Sequence, residues 1–599
     1  MARDHSAPIA RETASTDDAD APAGARSPGW PPVVHRWLPL ALAIVSFAVM
    51  CTLALSQAEK MIEPDPYAYR ASISALQDGN VTLDQTQYDQ LTQELQKTSL
   101  GGGISQWHQT PDGTWISEKN PGYPFLVIGF DAVGAMRLAP LFYGALACIG
   151  LWFGARRWLG RWGGTFAVGA YCSAAVVMVM AWRSFMPTFT DASLVACGLG
   201  LMIWSALALD RSRRARVIVG AMGVFALSLA VFVRYTNVAV LAVAGVFALL
   251  LCLRSRWKLG WTTLPWWAVA AAPPLIASLA YNAVVFDGPF STGYSSTSVK
   301  FTAGSISENL KIMPSHLWRA MPVFIIGLVA VIGIIGTQIW YFVTHRSHPD
   351  AETSPDPLDA STSGYLPAQA PELGTDAEVV PRVVADRWIG LFLLAAWAAI
   401  WGVYAAYQWT VMMGSGAGPG GGGGPRGLPA GGAPGVGISF SDSGFLHPNY
   451  SIVRFYLPAM GAIALLAAWL IVRLPRAIGV LVIIGLFIAG GAGFLGTVHG
   501  QWAKSIGGGG GFPSGAPGTG TPGGPGGAGG AGGPSGPSGG FPDFSQCPNL
   551  PDLSPPGGSA GGAAGGGQPN GGPPAGLTFD ENGCPVLPTS TTTSIPASP

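Results

Sequence analysis

The chain has 599 residues, of which 49% are hydrophobic and only 11% are charged, and its formal net charge at pH 7 is zero. Soluble domains carry about 25% charged residues, so this composition, with repeated apolar runs of about 20 residues, excludes an ordinary soluble protein and indicates an integral membrane protein. A neutral charge balance gives no support for a nucleic-acid partner or for a polybasic protein that binds a membrane surface.

The first part of the chain changes from polar to apolar. Residues 1–36 are rich in Ala, Pro and Asp and have no periodicity, so we predict a disordered cytoplasmic segment. The first apolar run, 37–58, begins too late and is too long for a cleaved signal peptide. We therefore predict a membrane helix that is retained in the protein.

The next region, 59–120, is too long for a tight connection between helices and is predicted to form an outer loop. Asp65 followed by proline is a favourable helix start, which predicts a helix to about Gln77. Residues 84–97 also favour a helix, and both helices are expected to lie on the membrane surface. Residues 121–135 open with Pro-Gly-Tyr-Pro and are too short to span a bilayer, so we predict an interfacial segment.

About eleven membrane-spanning helices are predicted between residues 37 and 497, so the expected fold is an all-α integral membrane protein. The predicted crossings are 37–58, 137–154, 163–182, 190–209, 217–234, 237–253, 263–285, 321–343, 388–409, 455–472 and 477–497.

Basic residues in the short loops determine the predicted orientation. All the basic clusters fall on one side of the membrane: Arg156, Arg157 and Arg161; Arg211, Arg213, Arg214 and Arg216; Arg254, Arg256 and Lys258; Arg473 and Arg476. The positive-inside rule makes that side cytoplasmic. The N-terminus is then predicted inside, and the 59–120 loop, the loop after Phe286 and the C-terminal tail outside.

Three stretches are polar or of low complexity. Residues 345–387 are predicted to be a flexible cytoplasmic loop, 414–437 a Gly-rich outer insert, and 498–599 a Gly/Pro-rich extracytoplasmic tail that cannot bury a core. Cys547 and Cys584 lie in this tail. An extracytoplasmic location would permit a disulfide between them without requiring one.

Ionisable residues at the predicted outer face include the groups that glycosyl transfer needs. Asp65 follows the first crossing, with Glu63 two residues before it, and Asp191 opens the fourth crossing. Such a carboxylate can act as a general base toward an acceptor hydroxyl. A leaving phosphate needs cations, and three basic residues lie at corresponding heights: Lys119, Arg234 and Arg454.

Each of these residues also has a structural interpretation. Asp65 can be a helix cap as well as a base, and Asp191, from spacing alone, is better explained as a carboxylate stabilised by a helix N-terminus. The basic side chains can extend to the membrane interface without any ligand, as Arg137 and Arg183 can. A divalent cation held by Glu63, Asp65 and Asp191 is a further alternative, although the basic residues can neutralise a phosphate without it.

Five motifs, spread over residues 37–497, carry a family resemblance. They are Glu63-Pro64-Asp65, Lys119-Asn-Pro-Gly-Tyr-Pro124, Thr190-Asp191, Asn282-Ala-Val-Val-Phe-Asp-Gly-Pro289 with Thr292-Gly293-Tyr294, and Arg454-Phe-Tyr-Leu-Pro458. Together they resemble the GT-C superfamily of polytopic glycosyltransferases, especially the branch that includes protein O-mannosyltransferases and the aminoarabinose transferases of lipid A. The Gly-rich insert and the low-complexity tail depart from that family and leave the acceptor open.

The resemblance implies a role for each matching residue. Asp65 would be the general base, and Asp191 would position the acceptor or a metal. Lys119, Arg234 and Arg454 would bind the phosphate of the lipid donor. Glu63, the other carboxylate of the first motif, is a further candidate catalytic residue, and the candidate substrate-loop residues are Tyr123, Asn282 and Tyr294.

We therefore interpret the chain as a membrane-embedded transferase that moves a hexosyl or pentosyl group from a polyprenyl phosphate to a glycan, lipid or protein of the cell envelope. The alternative is a transporter or flippase of lipid-linked sugars, in which ionisable residues would lie near the bilayer midplane. In this chain the centres of the predicted helices are nearly free of charge. A structural protein with a Gly-rich tail would leave the arrangement of Asp65, Lys119 and Asp191 unexplained.

Overall fold

The computed structural model of the chain describes residues 32–59, 64–96, 106–253, 261–293, 301–345, 376–414 and 450–498, together with 578–579 and 585–586. Glu63, Tyr294, Cys547 and Cys584, on which predictions were made, lie outside the described residues. The chain divides into two units, 1–510 and 511–599. The second is described only at two short antiparallel strands, Thr578–Phe579 and Pro585–Val586.

The unit formed by residues 1–510 is mostly helical where it is described. Its α-helices are α1 (Pro32–Ser56), α2 (Pro64–Gln77), α3 (Gln85–Gln96), α4 (Gly122–Ala132), α5 (Ala139–Cys172), α6 (Ala175–Trp182), α7 (Pro187–Leu207), α8 (Arg213–Val233), α9 (Val238–Leu253), α10 (Thr263–Val285), α11 (Gly304–Ala320), α12 (Val323–His345), α13 (Asp376–Ala405), α14 (Gln408–Gly414), α15 (Tyr450–Val453), α16 (Met460–Ile471) and α17 (Arg476–Gly496). Short 3-10 helices at Met136–Leu138, Tyr235–Asn237 and Arg454–Ala459 precede α5, α9 and α16.

Ten helical segments of the described chain are long and apolar enough to cross a membrane. They are Trp37–Ser56, Met136–Cys172, Pro187–Leu207, Arg213–Val233, Tyr235–Leu253, Thr263–Val285, Val323–Thr344, Asp386–Ala405, Tyr450–Ile471 and Arg476–Gly496. The predicted all-α membrane fold is confirmed. The predicted number of eleven crossings is not, and the difference lies in Met136–Cys172, which covers the second crossing and much of the third.

That long segment is a hairpin and not one straight helix. Gly160 interrupts α5 with φ 80° and ψ −176°, a conformation that glycine adopts readily. Beyond Gly160 the chain returns, because the Sγ atoms of Cys148 and Cys172 are 3.6 Å apart across 24 residues. A straight helix would separate these residues by about 36 Å. The two arms, the second continued by α6, correspond to the second and third predicted crossings.

Glycine allows α5 and α7 to pack with their backbones in close approach. A Cβ atom added at Gly200 would lie 2.1 Å from the carbonyl oxygen of Gly150, and one added at Gly154 would lie 2.5 Å from the carbonyl oxygen of Gly200. Helices in a bilayer gain little from the hydrophobic effect, so close backbone approach is a principal source of their association. This packing fixes α7, whose N-terminal end carries Asp191.

The predicted outer loop forms a small folded region. The two predicted helices are confirmed as α2 and α3, and a three-stranded antiparallel sheet accompanies them, with β1 (Thr82–Leu83), β2 (Trp107–Gln109) and β3 (Trp115–Ser117) in the order β1-β3-β2. Tyr88 of α3 stacks on Trp115 of β3, with ring centroids 3.6 Å apart. The sheet was not predicted, because its strands have only two or three residues each.

Two of the longer helices differ from the prediction. Helix α11 was not predicted; its buried residues Ser305, Asn309, Met313 and Leu317 recur every four positions, the pattern of a surface helix. Helix α13 begins at Asp376, inside the segment 345–387 that was predicted to be flexible. Only its apolar part, from Asp386, meets the criterion for a membrane span.

The end of the bundle that contains the Gly160 turn carries its own ion pairs. Arg157 pairs with Asp210 at 2.9 Å, and buried Asp386 accepts hydrogen bonds from Trp158 Nε1 and Arg473 Nη2, both at 2.7 Å. These pairs join loops that were predicted to be cytoplasmic. Which end faces the cytoplasm stays a prediction, and the opposite end carries Asp65 and Asp191.

Replacing Gly200 by alanine should destabilise the bundle by about 1–3 kcal/mol, because the new methyl group would meet the backbone of α5 and the helices must separate. The measurement is the midpoint of thermal unfolding in one detergent. Gly245→Ala in α9 is the matched control, since no atom lies within 4 Å of its added Cβ. We expect an unchanged or higher midpoint for the control, and equal midpoints for both variants would contradict the packing described here.

Candidate functional site

Asp65 lies in the first turn of α2, and its carboxylate contacts three side chains from distant parts of the sequence. Lys119 Nζ is 3.1 Å from Asp65 Oδ1, and Arg454 Nη2 donates to Asp65 Oδ2 at 2.8 Å. Gln106 Nε2 also donates to Oδ1, at 2.7 Å. Both carboxylate oxygens are therefore occupied by tertiary contacts, and within the described chain Asp65 acts as more than a helix cap.

These contacts determine the charge of Asp65. Burial by itself would raise the pKa of Asp65, but Lys119 and Arg454 outweigh that effect and hold this pKa well below its ordinary value of 3.8. The side chain keeps 15% of its surface exposed. Asp65 is thus firmly ionised, and it has a low affinity for a proton as long as both cations contact it.

Close backbone packing places Lys119, which lies two residues after the end of β3. A Cβ atom added at Gly122 would lie 2.3 Å from the carbonyl oxygen of Phe232, close to the end of α8. A Cβ atom added at Gly293 would lie 2.4 Å from the Cα of Glu118. Only glycine permits these two approaches, and they hold the segment that carries Lys119 against the end of α8 and the loop that follows α10.

Asp191 forms a second ion pair. Its Oδ2 is 3.2 Å from Arg234 Nε, and its side chain is fully buried. Arg234 follows the last residue of α8 and also donates from Nη2 to Thr188 Oγ1 at 3.0 Å. Because α7 begins at Pro187, Asp191 lies beyond the first turn, where the helix dipole has little effect. The interpretation of Asp191 as a helix-terminal charge is therefore wrong.

The ring of Phe455 links the two ion pairs. The guanidinium carbon of Arg234 lies 5.7 Å from the ring centroid and that of Arg454 lies 5.0 Å from it, within the range of cation–π contacts. Arg454 Nη1 also approaches Met186 Sδ at 3.9 Å, just before α7. Five predicted site residues are thus brought together, and we call them the ionic cluster: Asp65, Lys119, Asp191, Arg234 and Arg454.

Two other predicted residues flank the ionic cluster and bond to protein partners. Asn282 Oδ1 accepts a hydrogen bond from the Tyr235 hydroxyl at 2.6 Å, and Asn282 Nδ2 donates to the carbonyl of Pro289 at 3.3 Å. The Tyr123 hydroxyl donates to the carbonyl oxygen of Ser184. Burial raises the pKa of Tyr123 well above its ordinary value of 10.0, so this phenol stays protonated. Both side chains position the backbone near the cluster.

Sequence reasoning did not single out Gln106 or Glu59. Gln106, which contacts Asp65, has a left-handed backbone with φ 71°, and its Oε1 is buried without a hydrogen-bond partner in the described chain. Glu59 Oε1 accepts from the backbone N–H of Ser184 at 2.7 Å and of Phe185 at 3.4 Å. A carboxylate at the exit of the first crossing was a usable signal for Glu59, whereas nothing in the sequence marks Gln106.

The two arginines that were considered as interfacial side chains differ in the structure. Arg137 Nη2 donates to the carbonyl oxygens of Ala54, Leu55 and Gln57 at 3.2, 3.3 and 2.6 Å, so it satisfies acceptors at the end of α1. Arg183 is 1% exposed and does not extend to a surface. Arg137 therefore has a structural role outside the ionic cluster.

The ionic cluster is better suited to an anion than to a metal. Among the described residues, no group of three or more His, Cys, Asp or Glu side chains lies close enough together to hold a metal ion. Glu63, one of the three residues considered for a divalent cation, lies outside the described chain. The other two, Asp65 and Asp191, direct carboxylate oxygens at basic side chains.

The similarity of this chain to known proteins is confined to structure. No protein-family profile matches this chain, and no curated protein matches it. Two solved structures are similar: ArnT from Cupriavidus metallidurans bound to undecaprenyl phosphate, with a TM-score of 0.40 and 14% identity over 80% of this chain and 74% of that one, and ArnT in the apo state, with a TM-score of 0.37 and 16% identity over 78% of each. At these values the likeness carries no argument about the activity of this chain.

Arg454→Gln should lower the stability at neutral pH by about 1.5–3 kcal/mol, because it removes a charged hydrogen bond from a largely buried carboxylate. It should also raise the pKa of Asp65. A carboxylate with a lowered folded-state pKa stabilises the fold above its unfolded pKa, and this stabilisation is lost as the pH falls through the folded value. The variant should therefore lose less stability than the wild type on acidification below about pH 4.

The measurement is the unfolding midpoint between pH 7 and pH 3 for both proteins. Lys311→Gln is the control, since its ion pair with Glu308 is exposed and such pairs contribute about 0–1 kcal/mol. An unchanged acid dependence in Arg454→Gln would show that Arg454 does not lower the pKa of Asp65.

Proposed function

We propose that this chain is a glycosyltransferase that moves a sugar from a polyprenyl phosphate to an acceptor hydroxyl. The observation that carries the proposal is the contact of one ionised carboxylate, Asp65, with two largely buried cations, Lys119 and Arg454, where the helices end. A base and a phosphate-binding pair are thus adjacent. Transfer from a phosphodiester requires this combination, because the acceptor hydroxyl loses a proton while the departing phosphate gains negative charge.

The charge balance of the cluster supports a phosphodiester as the ligand. Lys119, Arg234 and Arg454 carry three positive charges, and Asp65 and Asp191 carry two negative charges, which leaves one positive charge. A sugar linked to polyprenyl phosphate carries one negative charge. Its phosphate gains a second when the sugar departs, and the adjacent cations stabilise that developing charge. Arginine can also bind two phosphate oxygens with parallel N–H groups.

The two carboxylates have different roles in this proposal. Asp65 accepts the proton of the acceptor hydroxyl as that oxygen attacks the anomeric carbon and the bond from this carbon to the phosphate oxygen breaks. Asp191 is fully buried and bound to Arg234, which makes it a positioning residue. It holds the Arg234 guanidinium beside Phe455, where the phosphate is expected to bind.

The location of the reaction follows from the donor. A polyprenyl chain lies in the bilayer, so its phosphate meets the protein at the level where the membrane helices end. The ionic cluster lies at that level. The positive-inside distribution of arginines favours the outer face, with the N-terminus in the cytoplasm and the tail outside. The sugar is a hexose or a pentose in this proposal, and the acceptor is a glycan, lipid or protein of the cell envelope.

Asp65→Asn should reduce sugar transfer by at least about a thousandfold, because the amide keeps the shape of the side chain and cannot accept the proton. The assay follows labelled sugar from undecaprenyl phosphate, the lipid held by one ArnT structure, into a washed envelope fraction. Asp84→Asn is the matched control: Asp84 is an exposed residue of the same outer region whose Oδ1 caps α3 by accepting from Gln87 N at 2.7 Å. Asparagine caps helices equally well, so the control should transfer at the wild-type rate.

The result also separates the alternatives. Equal loss in both variants would indicate a general defect of the outer region and would remove Asp65 as the base. If the wild type moves the intact lipid between leaflets and transfers no sugar, the protein is a flippase and the proposal fails.

A further inference from the structure

We propose that the phosphate of the donor and the carboxylate of Asp65 compete for Lys119 and Arg454, so that binding of the donor releases Asp65 to act as the base. This inference rests on the proposed function and adds how the base is controlled. In the structure, the two groups that would have to act on different substrates contact each other directly. Such a contact must open before either group can act.

Protein contacts leave little of the Asp65 carboxylate available to a substrate. Lys119 and Gln106 contact Oδ1 and Arg454 contacts Oδ2. An ionised carboxylate has about four lone-pair sites, and three of them accept protein donors here. An acceptor hydroxyl must approach one oxygen closely to pass its proton to it. Loss of the contacts with Lys119 and Arg454 would expose a lone pair on each carboxylate oxygen of Asp65.

Charge leads to the same conclusion. The two cations keep the pKa of Asp65 well below its ordinary value, and a weaker base is a slower proton acceptor. A bound phosphate pairs with Lys119 and Arg454 in place of Asp65, and it adds negative charge near the Asp65 carboxylate. Both changes raise the proton affinity of Asp65. The base therefore becomes stronger only when the sugar to be transferred is present.

A phosphate is an effective competitor for these side chains. It presents several acceptor oxygens and suits the planar fork of arginine, and lysine retains rotational freedom to follow it. Gln106 differs, because it is neutral and does not attract the phosphate by charge. Its backbone carbonyl accepts a hydrogen bond from Glu118 N at 2.9 Å. Gln106 can thus keep Asp65 oriented after the cations have changed partner.

The buried ion pair of Asp191 and Arg234 does not exchange its cation with the phosphate. Asp191 has no exposed surface, and Arg234 remains bound to it and to Thr188. Exchange is therefore assigned to the more exposed carboxylate alone. In the chemical step, the acceptor hydroxyl gives its proton to Asp65, its oxygen bonds to the anomeric carbon, and the electron pair of the broken bond stays on the polyprenyl phosphate.

The direct test measures the affinity of the purified full-length protein for undecaprenyl phosphate. This lipid is what remains of the donor after sugar transfer, so its binding can be measured without an acceptor. Asp65→Asn removes the competing charge, so we expect binding to tighten by about tenfold, which corresponds to about 1.4 kcal/mol. The uncharged lipid undecaprenol should bind the wild type and Asp65→Asn equally. Asp84→Asn should bind undecaprenyl phosphate as the wild type does.

The outcomes distinguish this inference from the proposed function. If the wild type does not bind undecaprenyl phosphate in preference to undecaprenol, the proposed function fails. If the wild type binds it and Asp65→Asn binds it equally or more weakly, the site stands and only the competition is overturned. Weaker binding would mean that Asp65 holds the two cations in place for the phosphate.

A second measurement on the wild type covers the case in which Asp65→Asn does not fold. Dicyclohexylcarbodiimide couples to protonated carboxyl groups, and mass spectrometry can locate the adduct on the peptide that contains Asp65. Release from the cations raises the pKa of Asp65, so labelling at pH 6 should increase several-fold when undecaprenyl phosphate is added. Labelling that decreases or stays unchanged would overturn the proposal.

Discussion

A carboxylate that is largely removed from water must be paired, and this constraint organises the end of the bundle that carries the site. An ion that loses its partner in such a place costs several kcal/mol. Asp65 avoids this cost by contacting Lys119 and Arg454, which lie far away in the sequence. The start of α2, the segment after β3 and the 3-10 helix before α16 must therefore meet at one point.

The membrane helices allow that meeting through small residues. Gly150 and Gly200 let α5 and α7 approach until their backbones touch, and Gly122 does the same between α4 and the end of α8. Side chains larger than hydrogen would push these elements apart by ångströms, more than an ion pair of about 3 Å tolerates. Close packing within the bundle and ionic contacts at its end are thus two parts of one arrangement.

The sequence was sufficient for those features that depend on composition and local pattern. Apolar runs located the membrane helices, and α2 and α3 were predicted from their helix-favouring residues. The residues of the ionic cluster were predicted because they are the acidic and basic groups that glycosyl transfer needs at the predicted outer face, and because they fall in the motifs that carry the family resemblance. Pairing could not be predicted: Arg454 meets Asp65 while Arg234 meets Asp191, a choice made by tertiary packing. Gln106 was not predicted either, since a glutamine in a polar loop carries no sign of a contact with Asp65. The reversal between the second and third predicted crossings was expected from the apolar runs, but the choice of Gly160 for the turn depends on a backbone angle that many glycines could adopt.

The difference in burial between the two carboxylates explains why one cluster can contain both a fixed and an exchangeable pair. Asp191 is fully buried, so separating it from Arg234 would leave a charge without water or a partner. Asp65 keeps 15% of its side chain exposed and retains the hydrogen bond from Gln106. Loss of its cations is therefore less unfavourable, because water and an amide remain to solvate it. A phosphate that approaches both ion pairs would first displace Asp65, because this carboxylate can better exist without its cations than Asp191 can.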